Sequence, residues 1–425
     1  MRTIGVGLLG LGTVGAEVYR LLQDRETVAA AAGCPVEVRR VAVARPERSR
    51  AVSLPPGILA PAEAVATAPD VDVVVELIGG LEPARHYLMQ ALARGASVVT
   101  ANKALLAACG AELSAAAARS GAHLYFEGSV GGGIPLIRPI SESLAGARLQ
   151  ALTGILNGTT NFILTRMAHQ GWTLEQALAE ARRRGFAEAD PTEDLEGHDA
   201  ASKLAILASV AFRCQVTGAD VYREGITRIT PRDFAYARDL GFTIKLLAVA
   251  RNRDGEVEAR VHPALIPLDH PLALVPDEFN AVLVEGPDLG RVVFSGRGAG
   301  GAPTATAVVG DIVAVARQLL AGVRGRPLLA GARRPIRPLD DLVVPYYLSL
   351  QVVDRPGVFA RVAAVFGEEQ VSIASIVQKS RGEVADVILV THDAAERAVR
   401  RVLARLTGLD VVRVVLNVIR VDNGV

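Results

Sequence analysis

Apolar and polar positions along the first ~130 residues fall into two alternating textures. Short β-branched runs, "TIGVGLLG", "VEVRRVAVA", "VDVVVELIG" and "SVVTA", read as strands, several of them apolar almost throughout as strands buried on both faces are. Alanine-rich stretches such as "AEVYRLLQDRE" lie between them and read as helices. That alternation predicts a parallel sheet covered by helices. From about Gly131 the texture changes to a glycine-rich turn, then to amphipathic helices such as "TLEQALAEARRRG". The strand-like pieces "EVEARVHPALI", "AVLVEG" and "RVVFSG" follow, and predict a second, α+β domain. The end of the chain reads strand "YYLSLQVV", turn "DRPG", helix "VFARVAAVFGEEQ", strands "SIASIVQKS" and "VADVILVTH", helix "AAERAVRRVLARLTG" and strand "VVRVVLNVIRV". That is a βαββαβ order, the ferredoxin-like arrangement.

The expected fold class is α/β, with a Rossmann-type domain, an α+β domain and a ferredoxin-like module. Residues 1–130 form a Rossmann-type nucleotide-binding domain, completed by about 300–322, and 131–299 an α+β substrate-binding domain. Residues 323–344 form a linker, Pro/Arg/Gly-rich from Arg324 to Pro338, and 345–425 the ferredoxin-like module.

Composition narrows the function classes. Half of the 425 residues are hydrophobic, enough to fill sizeable cores. Basic and acidic residues number 46 and 45, which argues against nucleic acid or an anionic membrane as a bulk electrostatic partner. No apolar run reaches the ~18–20 residues of a membrane span. Cys34, Cys109 and Cys214 lie far apart and form no metal or redox motif, which fits a reducing cytoplasm. The apolar start "MRTIGVGLLGLG" lacks a cleavage pattern and runs into a glycine motif with another use.

That motif is "GLGTVG", Gly10 to Gly15, directly after a strand and opening a helix. Gly10 permits the tight turn, Gly12 the approach of a pyrophosphate to the helix N-terminus, and Gly15 close packing of helix on strand. The second strand ends near the expected ribose site. An acidic residue there suits NAD; this chain offers Arg45, with Arg48 and Arg50 behind it, which favours NADP with NAD as the alternative. "TANKAL" follows another strand and places Lys103 on the cofactor side of the sheet, as a contact to cofactor or substrate or as a solvated loop lysine.

The chemistry concentrates in "EADPTEDLEGHDAASKLAIL", Glu188 to Leu207, with six carboxylates and one lysine. Only four residues of the chain are lysine, Lys103, Lys203, Lys245 and Lys379, against an overwhelming use of arginine. A position that stays lysine suits a group that releases a proton, which arginine does not. Pro191 and Gly197 mark a loop; a helix starts near Gly197 or His198 and puts Asp199 and Lys203 at i and i+4 on one face. An exposed ion pair and a buried structural pair are the plain alternatives. Beside a nicotinamide cofactor, a lysine ammonium stabilises the alkoxide formed by hydride transfer to a carbonyl and donates the proton; in reverse it takes the proton. Asp199 then orients the ammonium or holds the substrate. Glu188 and Asp194 grip a substrate ammonium, so the substrate class is an amino acid. "NGTTNFIL" starts a helix capped by Thr159 or Thr160; Asn157 lies within reach of the active site but is assigned no role there.

"GLGTVG", "ELIGG", "VVTANKALLA", "EGSVGGGIPLI", "GILNGTTNFIL", "GFAEADPTEDLEGHDAASKLAIL" and "GRGAGGAPTATAVVGD", in this order, resemble the homoserine dehydrogenase family over essentially the whole length. The terminal "DRPGVFARVAAVFGEEQVSIASIVQ" resembles an ACT domain. The resemblance implies NAD(P)-dependent interconversion of L-homoserine and L-aspartate 4-semialdehyde in threonine and methionine biosynthesis. It puts Lys203 at the family's acid/base lysine, Glu188 and Asp199 at its substrate carboxylates and Lys103 at its other active-site lysine. Leu11, Thr13, Val14, Arg45, Gly185 and Gly300 fall at or near its cofactor contacts. Glu127, Val130, Gly132 and Ile134 fall at its monovalent-cation site (Na+, for instance), where backbone carbonyls and one carboxylate suit a hard ion. An ACT module further implies amino-acid control, by threonine, and the family implies a homodimer or tetramer assembled through the catalytic and dimerisation domain 131–299. Two other readings remain at this point: an amino-acid sensor that keeps both domains without catalysis, and an oxidoreductase for another small carbonyl compound.

Overall fold

The computed structural model describes residues 2–47, 51–253, 255–329 and 331–422; Arg48 and Arg50 lie outside the described residues. The chain divides into two compact units. The first comprises 1–152, 201–221 and 280–334, the second 153–200, 222–279 and 335–425.

The first unit is built on a five-stranded parallel sheet. Its strands run Val36–Ala42, Ile4–Leu9, Val73–Glu76, Ser97–Thr100 and Leu124–Tyr125 in spatial order. The apolar runs read as strands are strands because both faces are covered: every residue of Ile4–Leu9 and Val73–Glu76 is buried. Strand order reverses between Ile4–Leu9 and Val73–Glu76, and that switch point opens a crevice at the carboxyl ends of the strands. The long helix Gly301–Leu320 returns to this sheet: Ala305, Val308, Ile312 and Val315 share one core with Ile4, Val6, Leu8 and Val18.

In the second unit the strands Phe242–Arg253 and Glu256–Pro267 form a long antiparallel hairpin. Strand Val412–Val421 adds to it in parallel, with Ala264 opposite Arg420 and Leu265 opposite Val421. Tyr346–Val353, Val384–Thr391 and Ile373–Gln378 follow, all antiparallel. Taken alone the βαββαβ module has strand order 4-1-3-2, the ferredoxin-like arrangement, with helices Val358–Glu368 and Glu396–Leu406 over a core of Leu348, Leu350, Val362, Phe366 and Val402. The segment expected as a linker is held at several points. In the first unit Leu329 N donates to Ser114 Oγ and Ala332–Arg333 pairs with Cys214–Gln215. In the second unit Val257 N donates to Pro335 O and Arg337 N to Val257 O. Among the described residues no helix is long and apolar enough to cross a membrane.

Candidate active site

In the first unit the glycine turn has the geometry that its residues require. Gly10 has φ +103°, and a Cβ there would lie 2.8 Å from Leu77 O. A Cβ on Gly15 would lie 2.4 Å from Gly10 O, so helix and strand touch backbone to backbone. Gly12 differs: a Cβ would meet nothing within 4 Å, and as N-cap of helix Thr13–Leu22 it supplies no side-chain acceptor. The helix thus starts with its amide donors turned to open space, as an incoming phosphate requires. Leu11 is buried beside it. Arg45 is exposed, just beyond the strand Val36–Ala42.

This turn borders a cavity of about 470 Å³ lined by Thr13, Val14, Ile78, Asn102, Lys103, Lys203, Gly300 and Thr304 among others, all within the first unit. Helices Thr13–Leu22, Lys103–Ser120 and Gly301–Leu320 begin at its wall, so three N-terminal dipole ends face it, a positive field suited to a polyanion. Gly300, with φ +121°, makes the turn into the last of them. Glu76 holds the wall together. Its carboxylate accepts the N–H of Ile78 (2.9 Å) and Gly79 (3.0 Å) and the hydroxyl of Thr100 (2.6 Å). Thr100 Oγ accepts Asn102 N–H, and Asn102 Nδ2 donates to Gly80 O (2.6 Å). The ring ties two strand ends together and fixes the residue before Lys103.

In the second unit the acidic segment folds around one asparagine. Asn157 Nδ2 donates to Asp194 Oδ1 (2.6 Å) and Asp199 Oδ2 (2.9 Å), while its Oδ1 accepts Thr160 N–H (2.8 Å). Asn157 is thus the N-cap of helix Gly158–Gln170, a correction to the expected Thr159 or Thr160; the hydroxyl of Thr159 is turned to Phe186 O and that of Thr160 back to Asn157. A short helix, Thr192–Leu195, occupies the expected loop, and helix His198–Phe212 begins where expected. Asp199 and Lys203 lie one turn apart on it, both buried at 6% and 8% exposure. Glu188 is exposed and makes no hydrogen bond to the Asn157 cluster. Gly185 has φ +77° after helix Leu174–Arg183.

The glycine-rich segment after residue 127 is tightly organised. The Glu127 carboxylate accepts the N–H groups of Leu136 (2.6 Å), Ile137 (2.7 Å) and Arg138 (2.9 Å). Glu127 N–H donates to Asp311 Oδ2 (2.7 Å), and full burial raises the Asp311 pKa well above the usual carboxylate range. The expected carboxylate ligand is therefore engaged by the chain's own amides, because the backbone turns back on it. Positive φ at Gly131 and Gly132 makes the turn. Among the described residues no backbone hydrogen bond outside helices and strands ends on the carbonyls of Val130, Gly132 or Ile134.

Three family models match the chain: the NAD-binding domain of homoserine dehydrogenase over residues 10–127, homoserine dehydrogenase over 135–313, and the ACT domain over 346–410. The homoserine dehydrogenase of Mycobacterium leprae is 48% identical, covering 99% of this chain and 98% of the relative. The chain belongs to the homoserine dehydrogenase family. Among solved structures, a homoserine dehydrogenase from Thiobacillus denitrificans is 42% identical with a TM-score of 0.94, covering 100% of this chain and 99% of that one. A hyperthermophilic archaeal homoserine dehydrogenase in complex with NADPH is 25% identical with a TM-score of 0.60, covering 74% of this chain and 98% of that one.

As a homoserine dehydrogenase the chain is an NAD(P)-dependent oxidoreductase with a Rossmann-type domain, a substrate domain and an ACT domain. That decides against the non-catalytic sensor. Among the expected residues, Thr13, Val14, Lys103, Lys203 and Gly300 line one cavity, and Asp194 and Asp199 share one hydrogen-bond donor. Sequence reasoning gave no role to Asn157 or Glu76. Thr159 and Thr160 beside it offered a cap of their own, and the signal for Asn157 was its place before a helix on a strand end.

Proposed function

We propose that Lys203 is the acid/base of hydride exchange between L-homoserine and L-aspartate 4-semialdehyde. The observation that carries this is a buried lysine in the wall of a cavity ringed by helix N-termini. When bound, the nicotinamide supplies a hydride acceptor or donor. Gly10, Gly12 and Gly15 shape its pyrophosphate turn; Leu11, Thr13, Val14 and Gly300 border it, and likeness to the family adds Gly185 as a cofactor contact. The open space at Gly12 and the uncapped helix start fit such a group. In the oxidising direction the hydroxyl proton of homoserine passes to a neutral Lys203 Nζ while the carbon hydride leaves; in reverse the ammonium gives the proton back and stabilises the alkoxide. Lys103 assists as a second cation at the cavity. Asp199 and Asp194, aligned by Asn157, and Glu188 hold the substrate's ammonium.

Arg45 favours NADP over NAD, in keeping with the NADPH complex of the archaeal relative. The carbonyls of Glu127, Val130, Gly132 and Ile134 hold a monovalent cation such as Na+. The ACT module binds an amino-acid effector, threonine, and the enzyme works as a dimer or tetramer. The test is absorbance of reduced nicotinamide when purified protein meets L-homoserine, with NADP and NAD in parallel, for wild type and Lys203→Arg. Reduction faster with NADP, and lost in the arginine variant while cofactor still binds, is the expected result. Substantial turnover in Lys203→Arg would remove the acid/base role, and a preference for NAD would remove the role of Arg45.

A further inference from the structure

Glu76 ends the strand Val73–Glu76 at the switch point and lines the cofactor cavity, although it is fully buried. Its three partners, the N–H groups of Ile78 and Gly79 and the hydroxyl of Thr100, all donate to it. The Thr100 oxygen in turn accepts Asn102 N–H, which leaves its single proton for Glu76. The carboxylate therefore accepts at every contact, as an ionised group does, and the donors that hold it carry no net charge. They stabilise the charge without cancelling it. Burial keeps water from screening it, so its field reaches into the cavity.

Among the described residues Glu76 is the one acidic side chain in the lining of this cavity, and Lys103 and Lys203 are its two basic ones. The oxidised nicotinamide ring carries one positive charge more than the reduced ring, while the phosphates are the same in both. Hydride exchange has to take place beside Lys203, in this same cavity. A cavity of this volume is roughly 10 Å across, no more than one Debye length at 0.1 M salt, so Glu76 acts on the ring wherever in it the ring lies. We propose that Glu76 sets the redox preference of the cavity, stabilising the oxidised cofactor over the reduced one against the opposite pull of the two lysines.

The inference rests on the reading of this cavity as the place where the cofactor meets Lys203, and adds the other half of its electrostatics. In the reducing direction the hydride carries its electron pair to the aldehyde carbon. A positive charge stays on the ring, and a negative one forms on the oxygen, to which Lys203 gives its proton. Lys203 serves the negative end of that charge separation and Glu76 the positive end. The bound pair is thereby drawn toward L-homoserine and oxidised cofactor.

The test is calorimetric titration of the full chain with NADP and with NADPH, no substrate present, for wild type, Glu76→Gln and Thr100→Val. Glu76→Gln should weaken NADP at least about tenfold more than NADPH, ~1.4 kcal/mol. Both titrations use one preparation, so any loss of folded protein or of loop geometry common to the two forms cancels in the ratio. Thr100→Val breaks the ring and keeps the charge; it should hold the ratio within about twofold of wild type. That variant tests the charge whether or not the glutamine variant folds. An unchanged ratio in Glu76→Gln, or a tenfold shift in Thr100→Val, overturns the proposal and leaves Glu76 a structural acceptor. Wild type that binds neither nucleotide overturns the cofactor cavity itself, and this proposal with it.

Discussion

Replacing Asn157 separates two duties that one side chain performs. Its Oδ1 caps a helix, and its Nδ2 is shared between Asp194 and Asp199. Asn157→Ala removes both. The cap is worth about 1 kcal/mol, and a hydrogen bond to a charged group about 1.5–3 kcal/mol. Two such bonds at the low end give about 3 kcal/mol, or roughly two factors of ten in kcat/KM for L-homoserine if the carboxylates must be in place for the substrate. Asn157→Asp keeps a good cap but replaces the shared donor with a third carboxylate. The reasoning therefore predicts that the aspartate variant, despite its intact cap, loses at least as much kcat/KM as the alanine variant. The assay is steady-state nicotinamide absorbance for both variants beside the wild type, with melting temperatures to follow the cap. An aspartate variant within about threefold of wild type, under 1 kcal/mol, would refute the role of the donor and leave Asn157 a cap alone.

Gly12→Ala should fold normally and bind nucleotide at least about tenfold more weakly, because its Cβ enters open space at the pyrophosphate turn. Gly15→Ala should instead lower the melting temperature, since its Cβ meets Gly10 O at 2.4 Å, an overlap of the kind that costs about 1–3 kcal/mol. Glu76→Gln should lose about 1.5–3 kcal/mol of stability and weaken nucleotide binding, as a single amide oxygen replaces a carboxylate that serves three donors; calorimetry on the variant checks both. Burial lowers the Lys245 pKa to about 8, so between pH 8 and the unfolded value near 10.4 the unfolded chain binds the extra proton and stability rises with pH. Wild type should therefore gain on Lys245→Met in denaturant titrations as pH climbs through that window, by about 3 kcal/mol in all, and a difference that stays flat would contradict the burial argument.

The parts of this molecule that were legible in its sequence are those where neighbours along the chain decide the outcome. "GLGTVG" after a β-branched run specifies strand, turn and helix within a dozen residues, and the βαββαβ order of the last domain follows from local periodicity alone. Asn157 was not legible, because its partners stand 37 and 42 residues away and the threonines beside it offer a cap of their own. The same holds for Glu127. A carboxylate beside a glycine-rich loop reads as a ligand, but the loop's positive-φ glycines bend its amides onto that carboxylate, a closure with no sequence signature. The segment from Arg324 to Pro338 has linker composition and yet is pinned by partners such as Ser114 and Val257, more than seventy positions distant.

The parallel pairing of Val412–Val421 with Glu256–Pro267 has a consequence for engineering. The last strand of the ACT module is also the neighbour of a catalytic-domain strand, so the module is not a bead that can be cut off or exchanged at its linker. A chain shortened before Val412 would bare the edges of both Glu256–Pro267 and Tyr346–Val353 at once. Such open edges recruit strands from other molecules. Any functional effect of truncation would then arrive together with aggregation, and the role of the ACT module is better sought by point substitution than by deletion.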